Sequence, residues 1–189
     1  MKISISAGHN KNTGAEAYNG DDEWTFNKKL EAAILNAFER SDYDFDVKTH
    51  ERDGSLGYTS AMSKLAGEIK SNYSDICLEL HFNSASPSAN GYEFLYYYSS
   101  SNGKALASYL SDHFDGLGFA KRRGTGTLSI DSGDRGSAYL RLTPCPAIIV
   151  ETHFGSNADD HDLAIVTMDE QAERIVNGVV EYGKAKNIL

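Results

Sequence analysis

Residues 76–84 read ICLELHFNS. Ile76, Cys77, Leu78 and Leu80 form an apolar run that predicts a buried strand. The run ends on a histidine, His81, and what lies on either side of it decides the fold. Upstream, residues 2–7 (KISISA) alternate apolar and polar and predict a first strand. A Gly- and Asn-rich loop over 8–20 follows. DDEWTFNKKLEAAILNAFER (21–40) then predicts a helix, with Phe26, Leu30, Ala33, Ile34 and Phe38 on one stripe. Asp21 or Asp22 is its N-cap, and acidic residues in the first turn suit the helix dipole.

Residues 43–51 (YDFDVKTHE) predict a second strand and 58–72 a second helix, with Ala61, Leu65, Ala66 and Ile69 on its inner side. Downstream of His81, 91–99 (GYEFLYYYS) predict a strand and 103–118 a helix. The Gly- and Ser-rich stretch 121–137 predicts a long loop with a short strand at 128–130. CPAIIVETHF (145–154) predicts the last long strand, GSNADDHDL (155–163) a turn, and 168–186 a closing helix. Strands alternating with helices predict one α/β domain over 1–189: a mostly parallel twisted sheet of five to six strands with helices on both faces.

Composition bounds the function. Of 189 residues, 40% are apolar and 24% charged, ordinary for a globular chain with a real core. The formal net charge of −9 excludes sustained contact with a nucleic-acid backbone. Lys121–Arg123 is too short a basic run to reverse that and reads as a solvated loop. No run of about 18 apolar residues predicts a membrane span. The N-terminus reads as a strand of the fold rather than a leader. Cys77 and Cys145 lack zinc-knuckle or CxxC spacing and read as buried or partly buried thiols.

Sites in open α/β sheets form beyond the carboxyl ends of the strands. His9, His81 and Glu151 each fall at such an end. Two imidazoles and a carboxylate are a donor set for zinc. Glu16, Asp21, Asp22 and Glu23 are the candidates for the carboxylate; Glu23 is preferred, because the first turn of an anchored helix fixes its position. Glu151 follows AIIV, where a charge has no structural reason to stand. In a cleft it would acquire the raised pKa of a general base. No HExxH, phosphate-binding glycine pattern or G-x-S-x-G elbow occurs. His50, His113 and His161 read as surface or helix-flank residues. The aromatics of 92–98 read as core packing on one face.

In order, SAGHN (6–10), EWTFN (23–27), LELHFNS (78–84) and PAIIVETHFGSN (146–157) resemble the motif blocks of the zinc-dependent N-acetylmuramoyl-L-alanine amidases of the type-3 family. The resemblance implies zinc held by His9, Glu23 and His81, with Glu151 catalytic. It implies Asn27 one helical turn after Glu23, Asn83 in its usual place after His81, and Arg52 near the rim of the site. The chain departs from the pattern at Asn10 and Lys11, where Gly-Gly is usual. It departs again at Glu79, where serine is usual, and at His153, where glycine is usual. His153 shares a strand face with Glu151 and is a candidate substrate contact or second proton carrier; a surface histidine at the strand's end is the alternative. The expected partner is peptidoglycan, with no nucleic acid and no membrane, and a monomer is expected. The expected setting is a phage or prophage endolysin catalytic domain that reaches the wall on lysis, or a fragment of a secreted wall enzyme. A glycosidase using Glu23 and Glu151 as paired carboxylates, and an inactive wall-binding module, are the alternative readings.

Overall fold

The structure is a computed structural model and describes residues 1–11 and 13–189. Asn12, inside the loop expected after the first strand, lies outside the described residues. Among the described residues the chain forms, in order, β1 (Lys2–Ala7), α1 (Glu23–Glu39), β2 (Asp46–His50), α2 (Tyr58–Ser71), β3 (Ile76–Asn83), β4 (Glu93–Tyr97), α3 (Ser101–Phe114), β5 (Thr127–Ile130), α4 (Ser137–Leu142), β6 (Ala147–Phe154), α5 (Ala158–Val166) and α6 (Met168–Lys186). A single 3₁₀ turn covers Arg122–Gly124.

The six strands make one sheet in the order β2-β1-β3-β6-β4-β5. β1 runs parallel to β2 and to β3, and β3 runs parallel to β6. β4 is antiparallel to β6 and parallel to β5. The reversal follows from the connection 84–92, which has no helix and is too short for a parallel crossover. Helices cover both faces. Ile3, Ile5, Leu78, Leu80, Ile148 and Val150 point into the larger core beneath α1, α3 and α6. The alternate residues Cys77, Ala147 and Ile149 meet Met62, Leu65 and Ile69 of α2 and Tyr139 and Leu140 of α4 in a smaller core. Cover on both sides is why β3 and β6 read as continuous apolar runs.

α1 begins where its cap was expected: the Asp22 side chain accepts from Thr25 N, which makes Glu23 the first helical residue. Leu30 and Ile34, one helical turn apart on the inner stripe, are fully buried and anchor the helix to the sheet.

One expectation about the elements needs correction. The segment read as a turn after β6 contains α5, announced locally by Asn157, whose side chain accepts from Asp160 N, and by Asp159 and Asp160 in the first turn. The segment 138–142, assigned to no element from sequence, forms α4 together with Ser137; its six residues are too few to show a helical period. Among the described residues no helix is long and apolar enough to cross a membrane.

Candidate active site

The carboxyl ends of β1, β3 and β6 lie side by side, and the entry into α1 folds over them. His9 follows β1 in a left-handed conformation, φ 66°, a strained setting for a non-glycine residue that aims its ring inward. Gly8 makes this possible. A Cβ there would sit 2.1 Å from Cε1 of His81, a severe overlap with the ring, so only glycine lets the chain pass the imidazole.

Glu23 spends both oxygens at this junction. Oε2 accepts from Ala15 N at 2.7 Å and lies 3.3 Å from His9 Nε2. Oε1 lies 3.0 Å from His81 Nδ1 and accepts from Phe82 N at 3.3 Å. One donor atom from each of His9, Glu23 and His81 falls within 4.8 Å of the other two. Burial works against a charge on Glu23, yet the bonds from His81 and His9 outweigh it and hold the carboxyl well below its usual range. Burial likewise opposes a charge on His81, and the carboxylates of Glu23 and Glu79 overcome it, raising the imidazole to about 10. The carboxylates around His81 thus favour a positive charge at its position. Two imidazoles and one carboxylate converging from three elements could hold a metal ion.

Glu151 stands opposite His81 in the β3–β6 register. Its Oε2 is buried and has no hydrogen-bond partner among the described residues. Burial pushes its pKa up to about 7; the charge on His81 works against the rise, and Glu23 and Glu93 add to it. A carboxyl near neutrality in the wall of a pocket has the chemistry of a general base and acid. The pocket holds about 450 Å³, and His9, Glu23, His81, Asn83, Arg52 and Glu151 all line it.

The sequence profile of the N-acetylmuramoyl-L-alanine amidases (Amidase_3) matches residues 3–181. The chain belongs to this amidase family. Among solved structures it is similar to the catalytic domain of the CD27L endolysin targeting Clostridia difficile: 25% identity, TM-score 0.81, 96% of this chain and 97% of the other. The fold is shared with the N-acetylmuramoyl-L-alanine amidase from Clostridium difficile 630, at 22% identity and TM-score 0.82 over 98% and 97% of the two chains. It is shared too with the catalytic domain of CwlV from Bacillus (Paenibacillus) polymyxa var. colistinus, at 24% identity and TM-score 0.74 over 96% and 97%. No curated protein matches the sequence.

In this amidase the pocket has a feature that sequence reasoning missed. Glu93, on β4, is paired across the sheet with Glu151 and is buried. It accepts from Asn83 Nδ2 at 3.0 Å, Arg122 Nε at 3.2 Å and Arg123 Nε at 3.1 Å. Two residues of the basic run at 121–123 thus pair with a buried carboxylate of the pocket wall, while Arg123 itself stays exposed as a solvated loop would have it. Nothing local announced this, because it depends on β4 pairing with β6. Arg52 lines the pocket, with its guanidinium over the Tyr58 ring at 5.5 Å. Cys77 is buried and Cys145 half-buried, both as free thiols with their sulfurs in contact.

His153 is not in the amidase pocket. Between His81↔Glu151 and Asn83↔Phe154, β6 spends one residue more than β3, a β-bulge. The extra residue breaks the alternation, so Glu151 faces the pocket while His153 turns into the large core against Phe26 and Phe82. It is fully buried, which also overturns the surface alternative. His161, read as a surface or helix-flank residue, does stand on a helix, α5, but is fully buried beside it. Their rings form a chain: Thr152 Oγ1 to His153 Nδ1 at 3.0 Å, His153 Nε2 to His161 Nδ1 at 2.9 Å, His161 Nε2 to Asp21 Oδ2 at 3.0 Å. The Asp21 carboxylate only accepts, so with neutral rings His161 donates from Nε2, His153 donates to His161, and Thr152 donates to His153.

This chain carries a pH signature. Burial, aided by His161, lowers the His153 pKa to about 3. An unfolded histidine titrates near 6.5. Between those values the unfolded state binds more protons, so stability falls as pH falls. At pH 5 the loss from this one group is about 2 kcal/mol relative to neutrality. Denaturant midpoints measured from about pH 7 to 4 are expected to fall, and a His153→Phe protein is expected to fall less steeply. Parallel curves would rule His153 out as the source.

Proposed function

We propose that the chain cleaves the amide between the lactyl group of N-acetylmuramic acid and L-alanine in peptidoglycan, with His9, Glu23 and His81 as zinc ligands and Glu151 as general base and acid. The observation that carries this is the free, buried oxygen of Glu151 beside a His-Glu-His cluster at adjacent strand ends. Zinc held there would supply Lewis-acid activation of the scissile carbonyl. Glu151 takes the proton of the attacking water and returns it to the departing alanine amine, which a carboxyl near neutrality does at little cost in either direction. Arg52 and Asn83 line the same pocket and are positioned to contact the muramoyl-peptide.

The glycosidase alternative draws no support from the geometry. Glu23 has both oxygens committed to His9, His81 and two backbone N–H groups, which leaves no free second carboxylate of that pair. The inactive-module alternative likewise has no missing group to rest on. We read residues 1–189 as one amidase catalytic domain acting on the cell wall. The likeness to an endolysin catalytic domain favours a phage or prophage lytic setting.

The test is product analysis of purified peptidoglycan. New L-alanine amino termini that vanish with a chelator and return with zinc are the expected result. Reducing sugar ends that persist under chelation would refute the reading.

A further inference from the structure

We propose that Glu79 is a positioning residue for the metal centre: its carboxylate, held by Arg52, accepts the Nε2–H of His81 as a hydrogen bond and fixes the imidazole with Nδ1 turned toward Glu23 and the metal. This rests on the zinc reading above and extends it to residues outside the ligand set.

Each ring nitrogen of His81 faces a different carboxylate. Nδ1 lies 3.0 Å from Glu23 Oε1, and Nε2 lies 3.3 Å from Glu79 Oε2. Glu23 belongs to the cluster that converges with His9; Glu79 does not. A neutral imidazole has one N–H and one lone pair. With a cation on the Glu23 side, the proton must sit on Nε2, and Glu79 is its acceptor. A carboxylate behind a metal-bound histidine sets the ring's tautomer and angle and raises its basicity.

The sheet register explains how Glu79 comes to be there. It lies two residues before His81 on β3, so both side chains leave the same face. Ser6 of β1 pairs with His50 on one side and with Glu79 on the other. The small Ser6 side chain leaves that row open, and Arg52, just past β2, reaches across the end of β1. Its Nη2 donates to Glu79 Oε1 at 2.9 Å. Glu79 is only 2% exposed and Arg52 12%. A charge so buried persists only when paired, and Arg52 supplies the pair. Glu79 therefore has its two oxygens divided, one anchoring to Arg52 and one facing the ligand histidine. It touches no reacting atom, so its role is to orient and not to catalyse.

The experiment is zinc titration of metal-stripped protein against a chromophoric chelator near neutral pH, for wild type and Glu79→Gln. The variant is expected to bind zinc about ten- to a hundredfold more weakly. Its cobalt(II) absorption spectrum is expected to shift as the His81 ring loses its fixed angle. Thermal unfolding of the metal-free proteins provides the control for fold. Should Glu79→Gln fail to fold, the double variant Arg52→Met/Glu79→Ser removes both charges, leaves no buried ion unpaired, and is expected to show the same weakening. Zinc affinity and cobalt spectrum unchanged from wild type in the folded variant would overturn the proposal. A wild type that binds no zinc would overturn the metal reading itself, a separate outcome.

Discussion

Glu151→Gln is expected to lower kcat by about a thousandfold while leaving the fold and metal binding in place. The expectation follows from what the amide cannot do: it has the shape of the carboxyl but takes no proton from water and returns none to the alanine amine. The same substitution has a second, opposite consequence. Burial raises the Glu151 pKa to about 7 in the folded protein, against about 4.3 unfolded. A carboxyl with a raised folded pKa favours folding in its protonated form. That contribution is complete below the unfolded pKa and is lost as pH rises through the folded one. Metal-free Glu151→Gln is therefore expected to be more stable than wild type at pH 8, by up to about 3 kcal/mol, and little different at pH 4. Denaturant unfolding at the two pH values reads this directly. A variant that is inactive and also less stable at pH 8 would show that Glu151 serves the fold and not the reaction. In wild type, kcat/KM is expected to fall about tenfold per unit on the acid side of this ionisation. That limb lies at or below pH 7, because a bound dication favours the ionised carboxylate.

Glu23→Ala is the second large effect: loss of activity beyond about a thousandfold together with loss of stoichiometric zinc. Glu23 is the hub of the cluster, since one oxygen addresses His9 and the other His81. Without it the two imidazoles face each other with no carboxylate between them. Metal analysis after dialysis is expected to give one zinc in wild type and none in the variant. Zinc in excess is expected to raise the unfolding temperature of wild type, since a ligand at a thousand times its Kd adds about 4 kcal/mol, and to leave the variant unmoved. A Glu23→Ala protein that retained wild-type activity in chelator would remove the metal from the mechanism altogether.

How much of this was legible can be judged residue by residue. α1 was, because its stripe, its cap at Asp22 and Glu23 in its first turn all lie within one stretch of chain. α5 carried the same kind of signal in Asn157 and Asp160, but a short polar segment after a long strand reads as a turn unless the cap is weighed. The strand-end placement of His9, His81 and Glu151 was legible from the alternation of strands and helices, since that alternation fixes which end of each strand faces the site. The antiparallel β4 was not, and with it went Glu93 and its two arginines.

By itself the sequence determined the elements, their layered packing and the end of the sheet where chemistry-bearing residues collect. Those properties are set by periodicity, caps and turn residues acting within a few positions of one another. Only the tertiary structure decided the rest. One extra residue in β6 sends His153 into the core while Glu151 keeps the pocket. The β2-β1-β3 register lets Arg52 reach Glu79 behind His81. The pairing of β4 with β6 puts Glu93 beside the candidate base. Each of these depends on which residue stands opposite which across a sheet, and that pairing is fixed by the sum of contacts over the whole domain rather than by neighbours along the chain.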